Sequence, residues 1–177
     1  YNCSIYHSSG LLLMVDPGQF PALRELRKAK GQPLVPGDPQ ALLLRTVHLL
    51  RAGLGLESVD KKIPVPLAIC ITKMDTLFSQ LDPASFLKDP SRSLRRPMVS
   101  ASDFASCSLE MESLLEVWGA GAFLGHVKSQ FQDWSFFGLS ALGASPSEQG
   151  EIPRISPHRV LDPLLWLLWR NQILRAG

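Results

Sequence analysis

Pro66-Leu67-Ala68-Ile69-Cys70-Ile71-Thr72-Lys73-Met74-Asp75 decides how the chain is read, because an unbroken apolar run stops abruptly on polar residues. A strand without alternation is covered on both faces, as in a parallel sheet between helices. Ligands of open α/β sheets gather beyond the carboxyl ends of the strands, where Thr72, Lys73 and Asp75 fall. Two further runs repeat the pattern. Leu11-Leu12-Leu13-Met14-Val15 is bounded by Ser9-Gly10 and Asp16-Pro17, and Trp134-Ser135-Phe136-Phe137-Gly138-Leu139 stops at Ser140-Ala141-Leu142-Gly143. Between the first two, Asp38-Pro39 opens a helix in the expected way, with Asp as N-cap and Pro at the first helical position. Leu42, Leu43, Val47, Leu49 and Leu50 give that helix an apolar face, and Gly53 and Gly55 end it. The crossover is long enough for a right-handed βαβ unit. The expected class is α/β: a three-layer, mostly parallel sheet flanked by helices, in one domain over residues 1–177.

With 177 residues, 45% of them hydrophobic and 19% charged, the chain can bury a substantial core. A net charge of +2 supplies no field for nucleic acid or an anionic membrane. The three cysteines, Cys3, Cys70 and Cys107, are odd in number and far apart. Cys70 sits in the buried strand, so a reducing cytoplasm is expected rather than a disulfide framework. No apolar run reaches the roughly 18 residues of a membrane span. The chain begins at Tyr1 with no signal-peptide pattern before the first strand, and is read as an amino-terminally truncated segment.

The remaining stretches are less specific. A short basic helix is expected from Phe20 to Lys30, and His48 is expected to be partly buried in the crossover helix. Asp16 caps the turn after its strand; a magnesium Asp-x-x-Gly would need Gly where Gln19 stands. Residues 79–102 form an irregular insertion, in which Arg92, Arg95 and Arg96 read as a solvated basic loop. From Ser102-Asp103, the residues Leu109, Met111, Leu114, Leu115, Val117 and Trp118 recur at helical spacing and are assigned to the core. Gly119-Ala120-Gly121 breaks that helix. A last helix starts at Asp162-Pro163 and is apolar nearly all round.

Two strand ends carry chemistry. The Asp75 carboxylate can accept two parallel hydrogen bonds from the imino N–H and exocyclic amine of guanine, a pair that adenine does not offer. The stem of Lys73 can lie along the base, and Thr72 can brace the loop. Read blandly, the same residues are a strand end with a solvated Lys-x-Asp turn. The sequence argues against a serine hydrolase, since Gly138-Leu139-Ser140-Ala141-Leu142 lacks the second glycine of a nucleophile elbow and no His or acid is placed by sequence to complete a triad.

ITKMD resembles the Asn/Thr-Lys-x-Asp base-specificity motif of GTPases of the translation-factor-related (TRAFAC) class. Ser140-Ala141-Leu142, 65 residues beyond Asp75, resembles their last base-contacting loop. In that loop a backbone N–H meets the guanine keto oxygen and the Ser steadies the turn. The order GLLLMVDP, PLAICITKMD, FFGLSALG, RVLDPLLWLL is similar to the carboxyl-terminal half of a bacterial P-loop GTPase domain, nearest the double-GTPase group of bacterial regulatory and conflict gene clusters. The resemblance implies GTP or GDP as ligand, Thr72, Lys73, Asp75, Ser140, Ala141 and Leu142 as guanine-binding residues, and protein partners for a regulatory switch. Gly-x-x-x-x-Gly-Lys-Ser/Thr does not occur in the sequence. Mg2+ and hydrolysis are therefore expected only with amino-terminal motifs that precede this segment. The alternative is a degenerate GTPase-like scaffold or interaction module in a bacterial assembly, with ITKMD as a relic.

Overall fold

The computed structural model of the chain describes residue 5 and residues 7–93, 98–144 and 154–177. Strands β1 (Leu11–Val15), β2 (Leu67–Ile71) and β3 (Trp134–Gly138) form one parallel sheet in the order β1-β2-β3. The flanking helices are α1 (Pro21–Ala29), α2 (Pro39–Gly53), α3 (Ala101–Val117), α4 (Gly121–Gln130) and α5 (Asp162–Arg170). The expected α/β class, a parallel sheet between helices, is met.

Register explains how the sheet is filled. Leu13 lies opposite Ile69 and Ile69 opposite Phe136, while Met14 lies opposite Cys70 and Cys70 opposite Phe137. Side chains alternate across a strand, so these two rows face opposite ways. The first row joins a core with Leu43, Val47 and Leu50 of α2, Met111 and Leu115 of α3, and Phe123 and Val127 of α4. On the other face Ala68 and Phe137 pack against Phe104 of α3 and Trp166 and Leu167 of α5. All five β2 residues are buried, as a run without alternation requires. In β1 burial alternates instead, and Leu12 and Met14 are 51% and 56% exposed. At the opposite edge, the Phe136 N–H donates to Ser108 Oγ of α3 at 3.0 Å.

Several local expectations are corrected. His48 is exposed, because the buried stripe of α2 runs through Leu43, Val47 and Leu50. In α3, Leu109 and Val117 point to solvent. The face turned inward instead carries Asp103, Phe104, Cys107, Ser108, Met111 and Leu115, and its two polar members have partners inside the protein. Within the stretch expected to be an insertion, a 3-10 turn covers Phe78–Gln80, and α3 already begins at Ala101, its cap Ser100 accepting the Asp103 N–H on Oγ at 3.3 Å. Arg95 and Arg96 lie outside the described residues. Arg92 lies 3.9 Å from both Asp89 and Asp103. Asp162 is the first residue of α5 rather than its cap, and its Oδ2 accepts from Arg159 Nη1 at 2.7 Å. No helix among the described residues is long and apolar enough to cross a membrane.

Candidate functional site

The loops that follow the three strands lie side by side and are bonded to one another. After β1, Asp16 Oδ1 accepts the Gly18 N–H at 2.9 Å, the capping role expected of it. Its Oδ2 also holds Lys73 Nζ at 2.7 Å, a pairing that spacing in sequence does not reveal. After β2, the Thr72 N–H and Oγ1 both donate to the Val15 carbonyl, at 2.9 and 3.1 Å, and so fix the start of the loop against β1. Lys73 then turns the chain with φ 54°, a left-handed conformation that is costly without a glycine. The turn is held by Thr76, whose N–H and Oγ1 donate to the Lys73 carbonyl at 3.1 and 2.8 Å. Met74 is fully buried beneath it, and its N–H donates to the Leu139 carbonyl at 3.1 Å.

That last bond carries the β2 loop to the β3 loop. Ser140 Oγ donates to Asp75 Oδ1. The same oxygen accepts the Gly143 N–H at 2.9 Å, and the Ser140 backbone exchanges two bonds with His158, at 3.0 and 2.8 Å. Ser140 is 1% exposed, Asp75 is half-buried, and Ala141 and Leu142 reach solvent. Gly143 has φ 75°, and a Cβ there would meet the Ser156 carbonyl oxygen at 1.9 Å, so the tight return of this loop requires glycine. The structure thus brings Asp75 and Ser140 into contact with Ala141 next in the chain. Thr72 and Lys73 lie on the neighbouring side, toward β1.

A strap behind the site went unread in the sequence. His158 Nε2 is 2.7 Å from the Leu87 carbonyl, and its ring packs edge-on to Phe78. Burial pushes its pKa below the ordinary 6.5. Arg159, 4% exposed and at φ 52°, donates to Asp103 at 3.0 and 3.1 Å, to Asp162 at 2.7 Å and to the Asp89 and Phe86 carbonyls. Burial by itself would raise the Asp103 carboxyl, but the hydrogen bonds and charge of Arg159, with the Arg92 backbone, hold it below its usual value. Burial wins at Asp162, whose pKa is raised. An Arg and an Asp more than fifty residues apart carry no pairing signal in one sequence.

Burial pushes the Cys70 and Cys107 thiols up to about 12, so neither is a nucleophile near neutral pH. Among the described residues no group of three or more His, Cys, Asp or Glu is placed to hold a metal ion. Compared with protein-family models, curated proteins and solved structures, the chain matches none.

Proposed function

We propose that this chain is the guanine-recognition half of a GTP- and GDP-binding regulatory switch of the TRAFAC GTPase kind, acting in a reducing cytoplasm and not hydrolysing nucleotide by itself. The contact between Asp75 and Ser140 carries the reading, because it joins two base-type loops that lie 65 residues apart in sequence. The imino N–H and amine of guanine would bond to that carboxylate, and the keto oxygen would accept the Ala141 N–H. Lys73 would lay its stem along the base, Thr72 would hold the loop, and Leu142 would flank the ring. A base that leaves such a polar group unpaired costs about 1 to 3 kcal/mol, more when the group is charged. Phosphate-loop and Mg2+ motifs would come from sequence upstream of this segment, and effector proteins would read the loaded state.

The test is equilibrium binding of GDP and ADP to the chain and to Asp75→Ala. The expectation is a clear preference for GDP and a loss of about 3 kcal/mol, roughly a hundredfold, in the variant. Equal, weak binding of both nucleotides would remove the reading. One observation favours the scaffold instead: Lys73 is paired with Asp16 and Asp75 with Ser140, so the tetrapeptide also ties its own loops together.

A further inference from the structure

The Lys73 side chain is 65% exposed and ends a flexible four-carbon stem, the kind of group that samples many rotamers in water. Left to itself it would bring no fixed surface to a base. Asp16 changes that. Its side chain is only 17% exposed, and its Oδ1 already accepts the Gly18 N–H at 2.9 Å, so the Oδ2 that meets Lys73 Nζ at 2.7 Å is a stationary acceptor. The two loops are also fixed to each other beneath the pair. Val15 lies opposite Ile71, and the Thr72 N–H and Oγ1 both donate to the Val15 carbonyl, at 2.9 and 3.1 Å. Three bonds, to Val15 and Asp16 from Thr72 and Lys73, thus join the end of β1 to the start of the β2 loop.

An ion pair with one partner this exposed adds little to stability, so its consequence lies in where it puts the side chain. Only the ammonium is tied. The methylenes of Lys73 run between two fixed ends, the Asp16 carboxylate and the left-handed turn at φ 54° that Thr76 holds, and they are the part that would cover a base. Ordering a long side chain during binding costs affinity, and a stem laid out beforehand avoids that cost. We infer that Asp16 is a positioning residue of the candidate site: it holds the Lys73 ammonium so that the stem is in place before guanine enters between Asp75 and Ala141. The positioning role rests on the guanine reading, but the ordering of Lys73 by Asp16 does not.

Guanosine and adenosine, which carry no phosphate, are the probes, titrated against the chain, Asp16→Asn, Lys73→Met and the double variant. Asp16→Asn keeps an oxygen for the Gly18 N–H and removes the charge that holds Lys73, so its melting temperature should stay close to that of the unmodified chain. It should bind guanosine roughly two- to tenfold more weakly. In the Lys73→Met background, where the stem remains and the ammonium is gone, the same substitution should change nothing. Without nucleoside, the Lys73 methylene resonances should be dispersed in the unmodified chain and collapse toward those of free lysine in Asp16→Asn. An equal loss of guanosine binding in both backgrounds would overturn the inference, as would an unchanged affinity in Asp16→Asn or Lys73 resonances indifferent to Asp16. Should Asp16→Asn fail to fold, salt decides. Guanosine is neutral, so its affinity should fall with rising salt in the unmodified chain and stay level in Lys73→Met, and equal slopes would overturn the inference. No preference for guanosine over adenosine in the unmodified chain would remove the base reading and the positioning role with it, leaving the Asp16-dependent order of Lys73 as a structural tie.

Discussion

Ser140 is the residue on which the candidate site turns, because one buried hydroxyl donates to Asp75 and accepts from Gly143. Replacing it removes both bonds at once. Ser140→Ala should cost about 1 to 3 kcal/mol in stability, since the Gly143 N–H loses its partner, and should weaken GDP binding with it. Gly143→Ala acts on the same loop through its backbone. A left-handed alanine costs about 1 to 2 kcal/mol before the clash with Ser156 is counted, a fall in Tm of about 2 to 8 °C. An unchanged melting temperature would show that the loop does not need its tight return. At this scale the sequence revealed the types of residue at the strand ends, since apolar runs that stop on Thr-Lys-x-Asp and Ser-Ala-Leu are visible as text. It concealed the pairing of Asp16 with Lys73, which exists only because β1 lies next to β2.

Among the elements, the first two strands were legible from unbroken apolar runs, the third from aromatic and small residues before a Ser-Ala-Leu-Gly turn, and α2 from its Asp-Pro start. The phase of α3 was not. Hydrophobicity pointed to Leu109 and Val117, whereas the buried face includes Asp103 and Ser108, whose partners Arg159 and Phe136 come from distant parts of the chain. A polar residue can face inward when a partner meets it there, and a single sequence does not display the partner. Three substitutions test that packing. Arg159→Met should destabilise by about 3 to 5 kcal/mol, measured by denaturant unfolding, because it strands the Asp103 carboxylate. Replacing Asp103, Arg159 and Asp162 together with apolar residues of similar size should cost far less, and an equal loss in both variants would contradict this account. Ser108→Ala should cost about 1 to 3 kcal/mol, because no other side chain is bonded to the Phe136 N–H among the described residues.

For the whole molecule, the sheet divides the interior into two cores, and the 158–162 strap ties the second to the loops that follow β2 and β3. Its pH dependence follows from His158, whose folded pKa lies below its ordinary 6.5. Above that value the ring is neutral folded or unfolded, and its contribution is complete. As the pH falls below it, the unfolded chain takes up a proton that the fold resists, so stability should decline toward the lowered folded value. Asp103 adds loss of the same sign below its ordinary 3.8, while Asp162, raised, opposes it by gaining stability in acid. Thermal unfolding between pH 7 and pH 5 should therefore show a downward slope that flattens in His158→Gln. The central claim is that two separate strand ends hold one guanine between them, and amide resonances of the chain titrated with GDP and with ADP test it most directly. The account predicts that Lys73 through Asp75 and Ala141 shift together along a single binding curve with GDP and stay still with ADP. Shifts in only one of the two loops, or the same shifts with both nucleotides, would contradict it.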